Sequence, residues 1–291
     1  MQIDSRKRRH DTHPGTEPST PATPALTLGV HFEDGKNVTG DADAPRENRV
    51  LTLPAVDRVE FPRTYLQLVV CELRFPTILA FEDSPPVQFQ SAIRKDYPYF
   101  EKGAKVSIGP GTMQGETRYI FHSRNKDFTV VFRASALSVE TTKYTSFAGL
   151  KKRIESLVAI AKPFVDTEFF TRVGLRYING LPVREDVDEW VNQDLVRPFA
   201  GGVFGTVNKY WLEVRGDTQN GEYSFRHGFP GGESAEAATY RLDFDLSKND
   251  VAVSETIKLL DDLHTEAYKF FRWSIGPRVL RELVPTKEAT R

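Results

Sequence analysis

Between residues 65 and 180 the spacing of apolar side chains switches between the strand period of two and the helix period near 3.6, in the order β-α-β-β-α-β. That order points to a ferredoxin-like unit. Tyr65 to Phe75 is β-branched and apolar, is stopped by Pro76, and is long enough for a central strand. Ser84 as N-cap, followed by Pro85-Pro86 and by Val87, Phe89, Ile93 and Tyr97, predicts a helix ending before Pro98. Two strands, 117–123 and 128–141, are joined by Arg124-Asn125-Lys126-Asp127 as a hairpin. Ser146 opens a second helix whose apolar set Phe147, Leu150, Ile154, Leu157 and Ala161 runs up to Pro163. The strand 169–178 then meets turn chemistry at Asn179-Gly180 and Pro182.

The remainder reads as a short helix near 186–195, a Gly-rich link at 201–205, and strands near 209–216, 221–229 and 239–247. A long helix closes it over about 251–273, with Val253, Ile257, Leu260, His264, Ala267 and Phe271 on one side. Asn220-Gly221 is placed as in a two-residue hairpin. The expected architecture is therefore α+β: a ferredoxin-like first half packed with a second antiparallel sheet and a long C-terminal helix. The expected division is a disordered tail 1–59, a ferredoxin-like α/β domain 60–182, a sheet-plus-helix sub-domain 183–285 and a short tail 286–291. The tail assignment rests on a segment rich in Pro, Thr and acidic residues that cannot bury enough apolar surface to offset its ordering entropy. Within it, Leu26 to Phe32 alternates and reads as a segment docked loosely or not at all, the alternatives being a strand on the body or a short partner-binding stretch, and Arg6 to Arg9 reads as a solvated basic arm, the alternatives being a phosphate contact or a nuclear signal.

Composition excludes several classes. With 39 Lys+Arg against 40 Asp+Glu, the formal charge of -1 provides no global field for nucleic acid or an anionic membrane. No stretch approaches the ~20 consecutive apolar residues of a membrane-spanning helix. The basic run at the N-terminus is not followed by the apolar segment of a secretory signal, and the single cysteine, Cys71, fits a reducing compartment. The expected location is cytoplasmic.

Three stretches, Glu72-Leu73-Arg74-Phe75, Gly174-Leu175-Arg176-Tyr177-Ile178-Asn179, and Leu263-His264 followed by Phe270, together resemble a sporadically distributed family of bacterial and archaeal proteins of uncharacterised function. The resemblance covers roughly residues 60–280. It implies a prokaryotic origin and a shared architecture, and it carries no chemistry across. Patchy distribution of this kind is typical of horizontally moved accessory genes, including defence and toxin-antitoxin loci.

Neither Gly-x-x-x-x-Gly-Lys-Ser/Thr nor a helix-opening Gly-x-Gly-x-x-Gly occurs, and Gly109-Pro110-Gly111 has the wrong spacing for a phosphate cradle. Six histidines, three of them in the tail, and one cysteine point away from a metal centre, so no metal or cofactor is expected. Cys71 is expected to be a buried, inert thiol.

The informative pattern is one of charge. Strand residues two apart share a face, so Glu72 and Arg74 lie together, as do Arg172 and Arg176, Glu213 and Arg215, and Asp243 and Asp245. Such rows are costly in a sheet unless paired or solvated. They read either as an ion-pair network locking two sheets or as a groove that takes an anionic ligand or a partner's acidic segment. Asp243 and Asp245, with Glu213, also form the carboxylate pattern of a two-metal nuclease. His264 lies on the apolar side of the last helix, and His227 alternates with Phe225. The expected binding residues are Glu72, Arg74, Arg172, Arg176, Glu213, Arg215, Asp243, Asp245 and His264, with no catalytic residue among them. The expected function is non-enzymatic, that of a binding or accessory protein in a prokaryotic cytosolic assembly with a protein partner. The alternative is an RNA- or DNA-binding or -processing protein using the arginine-bearing face.

Overall fold

The computed structural model describes residues 50–283 apart from 60, 62, 110, 111, 184, 185, 201, 206, 208 and 232–238. The Arg6 to Arg9 run, the Leu26 to Phe32 patch and the tail 286–291 lie outside the described residues. In chain order the elements are β1 (Leu66–Arg74), α1 (Ala80–Asp83), α2 (Val87–Ile93), β2 (Tyr99–Gly109), β3 (Thr112–His122), β4 (Phe128–Arg133), β5 (Ala136–Thr141), α3 (Phe147–Val165) and β6 (Phe169–Leu181). These are followed by α4 (Val187–Trp190), α5 (Gln193–Ala200), β7 (Tyr210–Asp217), β8 (Glu222–Phe229), β9 (Tyr240–Ala252), α6 (Thr256–Ser274) and α7 (Pro277–Leu283).

All nine strands form one antiparallel sheet in the order β2-β3-β4-β5-β1-β6-β9-β8-β7. The expected second sheet is thus not separate. β6 pairs with β9 from Phe169↔Ala252 to Leu181↔Tyr240, so the strands on either side of residue 182 belong to one surface. The mixed α+β class holds. The pleat assigns the two faces: Val69, Cys71, Leu73, Val173, Leu175, Tyr177, Leu242, Phe244, Leu246 and Phe225 are buried in one core with Phe89 of α2, Ile154 of α3 and Leu260 of α6. The alternate residues of the same strands are the charged ones.

Several boundaries shift for physical reasons. The segment 128–141 folds back at Ala134-Ser135, a turn with no Gly, Pro or Asn; its carbonyls accept from the Ile78 and Phe75 amides at 2.8 and 3.0 Å. Ser84 ends α1 instead of capping α2, which starts after Pro86 without a side-chain cap. Ser146 does cap α3, its Oγ accepting from the Gly149 amide at 3.2 Å. Pro163 lies inside α3, which ends at Asp166 with φ of 42°. Asn179-Gly180 stays in β6, where the Gly180 amide donates to the Tyr65 carbonyl at 2.9 Å. The β7–β8 connection is a four-residue loop, Thr218 to Gly221, and β9 runs on to Ala252 because β6 begins early enough to pair with it. The burial of α6 centres on Leu260, Leu263, His264, Ala267 and Phe270.

The body also begins earlier than composition implies. Leu51, Leu53 and Phe61 pack against the core, and the Leu51 amide donates to the Asp217 carbonyl at 2.8 Å. Residues 51–59 and Phe61 form a strap that passes from the end of β7 to α6.

Candidate functional site

Eight of the nine expected site residues fall on the charged face, and strand register brings them together. Arg74 Nε donates to Glu72 at 2.6 Å, and Arg133 of β4 binds the other Glu72 oxygen. Arg172 bridges Glu72 at 3.5 Å and Asp245 at 2.8 Å. Arg176 forks onto both oxygens of Asp243 at 2.7 and 2.6 Å, and Arg226 of β8 approaches the same carboxylate at 3.5 Å. Arg226 and Arg215 meet Glu213 at 3.0 and 2.8 Å.

The network crosses one sheet and does not lock two together, as the two-sheet expectation required. Burial pushes the Glu72 carboxyl up, but Arg133 and Arg74 outweigh it and hold the group below the usual carboxylate range. Asp243 is 2% exposed and is held by Arg176, with Arg226 at 3.5 Å. Hydrogen bonding to Asp243 raises the Arg176 guanidinium further above its ordinary range. Asp243, Asp245 and Glu213 are therefore committed to arginines, and among the described residues no group of three or more His, Cys, Asp or Glu side chains could hold a metal ion.

The ninth residue, His264, lies on the other side of the sheet at the floor of a cavity of about 550 Å³. The strap, the Tyr144 to Phe147 turn before α3, β6 and α6 line it. Arg58 Nη2 donates to His264 Nε2 at 2.8 Å. Because a guanidinium cannot accept, Nε2 is the unprotonated nitrogen and Nδ1 carries the hydrogen. Nδ1 then donates to the Tyr177 hydroxyl at 2.8 Å, and the Tyr177 hydroxyl donates a hydrogen bond to that of Tyr144. Burial, with Arg58 adding to it, drives the His264 imidazole down to about 4, and Asp261 opposes the shift. The ring of Phe147 stacks on His264 at 3.9 Å between centroids. His264 is thereby held neutral in one tautomer and one orientation.

The strap is pinned where it closes the cavity. The Val59 amide donates to the Tyr268 hydroxyl at 2.9 Å, that hydroxyl donates to the Asp57 carbonyl at 3.2 Å, and Phe61 stacks on the Tyr268 ring at 6.3 Å. At the far end Tyr65 donates to Glu282 at 2.5 Å, and Arg63 acts on the same carboxylate through its field. Arg58 differs from every arginine of the charged face named above: among the described residues no carboxylate lies within ion-pair distance of it.

His227, the other histidine noted in the body, does not line this cavity. It is fully buried against Phe225, 2.6 Å from the Tyr240 hydroxyl, and burial takes it down to about 4. Cys71 is buried, which raises its thiol to about 12. Sequence reasoning missed Arg58, Tyr144, Tyr177 and Tyr268 as site residues. Tyr177 was within reach, since it alternates with Arg176 onto the core face. Arg58 gave no signal, because it lies in a stretch assigned to the tail. The chain matches no protein-family model and no curated protein.

Proposed function

We propose that this protein works by binding, as an accessory component of a cytosolic assembly and not as a catalyst, and that the cavity under the strap is its ligand site. One observation carries the reading: Arg58 presents a guanidinium to an aromatic-walled cavity of about 550 Å³ with no carboxylate partner among the described residues. That volume falls within the ~300–1,000 Å³ of small-molecule sites. The groups nearest to catalytic chemistry are tied down. Both ring nitrogens of His264 are hydrogen-bonded, and the paired acids of the charged face accept from arginines.

The nucleic-acid alternative has less support. Phosphate binding needs cations free to exchange counterions, whereas each arginine of the charged face named here already has a carboxylate partner within the chain. The exposed aromatics of that face, Tyr99 and Trp211, sit on β2 and β7 at opposite edges of the sheet, too far apart for one stacking platform. The order β6-β1-β5-β4, with α2 and α3 in the connections, supports reading the first half as a ferredoxin-like unit with the β2–β3 hairpin inserted. That likeness assigns no ligand.

The test is native mass spectrometry of the protein after exposure to a prokaryotic cell extract. The native chain should retain a small-molecule adduct, and Ala267→Trp, which fills the cavity from α6, should lose it. An adduct that survives Ala267→Trp and disappears in Arg215→Ala would move the site to the charged face, and no adduct at all would overturn the reading.

A further inference from the structure

Resting on the reading of the cavity as the binding site, we propose that its ligand is a flat aromatic carboxylate. Its carboxylate would sit between Arg58 and Tyr144 and its ring among the aromatic walls.

The hydrogen-bond chain at the cavity floor runs one way. Arg58 donates to His264, His264 to Tyr177 and Tyr177 to Tyr144, so the chain begins at a cation and ends at a hydroxyl that accepts a hydrogen bond. No acceptor for the Tyr144 hydroxyl's own hydrogen is present among the described residues, and Tyr144 lines the cavity. A ligand that completes the chain must accept, and next to a guanidinium the matching acceptor is an anion. Arg58 uses Nη2 on His264 and retains its other N–H groups for a second, charge-assisted contact. No Asp or Glu lines the cavity among the described residues.

The charge of the ligand follows from the distribution of cations. Arg63 also lines the cavity, and Glu282, the carboxylate on which it acts, is paired with Arg278 at 3.1 Å. The guanidinium beside Tyr144 is Arg58, whose remaining N–H groups match the two coplanar oxygens of a carboxylate, and this favours a carboxylate. The shape follows from the walls. Phe61, Phe147, Tyr268 and Phe271 present ring surface, which rewards a planar apolar body through offset or edge contacts.

The probe is 2-naphthoate, titrated by calorimetry into the full chain, with 2-naphthamide and 2-naphthyl phosphate as the neutral and dianionic comparisons. Naphthoate should bind about tenfold more tightly than naphthamide, the difference expected for a charge-assisted contact, and more tightly than the phosphate. Arg58→Met should remove that preference, and Arg58→Lys should restore part of it by returning the charge without the fork. Tyr144→Phe should weaken naphthoate severalfold with little change in melting temperature, and Arg74→Ala on the opposite face should leave binding unchanged. Equal binding of naphthoate and naphthamide, tighter binding of the phosphate, or an Arg58→Lys chain that melts like the native one yet regains nothing would each overturn the assignment. If extract-derived adducts vanish in Ala267→Trp while naphthoate fails to bind, the ligand class is wrong and the cavity reading stands. If both fail, both fall.

Discussion

At the scale of single residues, His264 and Arg176 show how burial turns a polar side chain into a commitment. The His264 imidazole, ordinarily near 6.5, is held down at about 4 by burial and by Arg58, with Asp261 the opposing charge. A base with a lowered folded value binds fewer protons folded than unfolded between those two pH values. Stability is therefore intact above about pH 6.5 and falls as the pH drops toward 4. At pH 4.5 the loss amounts to about 2.5 kcal/mol for one such histidine. His227 contributes a similar loss, so the effect of His264 has to be isolated. Urea midpoints at pH 7 and 4.5 should show that His264→Gln loses about 2.5 kcal/mol less than the native chain over that interval. An unchanged difference would mean that His264 is not neutral in the fold. Arg176 carries the complementary expectation. Its removal leaves Asp243, 2% exposed, with only the more distant Arg226, and breaking such a pair costs about 3 kcal/mol. Arg74, with 52% of its side chain exposed, should cost less than about 1 kcal/mol on change to Ala. Equal melting losses for Arg176→Ala and Arg74→Ala would refute the distinction.

At the scale of elements, the strands define both faces, and their joints depend on backbone geometry. Gly228 in β8 has φ of 130°, a conformation L side chains rarely adopt, and a Cβ there would run into the Tyr210 carbonyl of β7. Gly228→Ala should therefore cost about 2 kcal/mol, while Gly103→Ala in β2, whose Cβ would meet only the end of Ile120 at 3.2 Å, should cost clearly less. Denaturant unfolding of the two variants compares them directly. What the sequence revealed follows the same division between local and distant causes. The rows Glu72/Arg74, Arg172/Arg176, Glu213/Arg215 and Asp243/Asp245 were legible because strand parity is local, and so was the Ser146 cap, whose acceptor lies three residues from its donor. The turn at Ala134-Ser135 was not, since the groups that satisfy it come from the chain after β1. β2 was hidden by its Glu, Lys and Gly content, the composition that blunts an edge strand. That the second set of strands joins the first depends on β6 meeting β9, a pairing between segments about seventy residues apart that no short-range pattern encodes. The site divides in the same way. Helical spacing placed His264 on an apolar face, but its partner Arg58 lies 206 positions away in sequence.

At the scale of the whole molecule, the strap forms one wall of a cavity beside the packed core, and it is the part most open to a decisive cut. The segment 1–49 is rich in Pro, Thr and acidic residues and poor in periodic apolar ones, so its removal should move the melting temperature by less than about 2 °C. Starting the chain at residue 62 removes considerably more. It deletes the Leu51 bond to Asp217, the Arg58 bond to His264 and the Val59 bond to Tyr268, together with the partial burial of Leu51, Leu53 and Phe61. At about 1 kcal/mol for each half-buried apolar side chain, the loss is about 3 kcal/mol. In a body of this size that corresponds to a drop of about 8 °C. The shorter chain should also lose the cavity roof, returning water to His264 and removing Arg58, both of which held the imidazole down. Its histidine should then titrate nearer 6.5, and the loss of stability between pH 7 and 4.5 should shrink by up to about 2.5 kcal/mol. Calorimetric melts of the two truncations at both pH values test the strap in two ways at once. If they melt alike, the strap is not part of the fold. If the shorter chain melts lower but keeps the full pH dependence, the strap stabilises the body without controlling His264, and the cavity floor is set by β6, α3 and α6 alone.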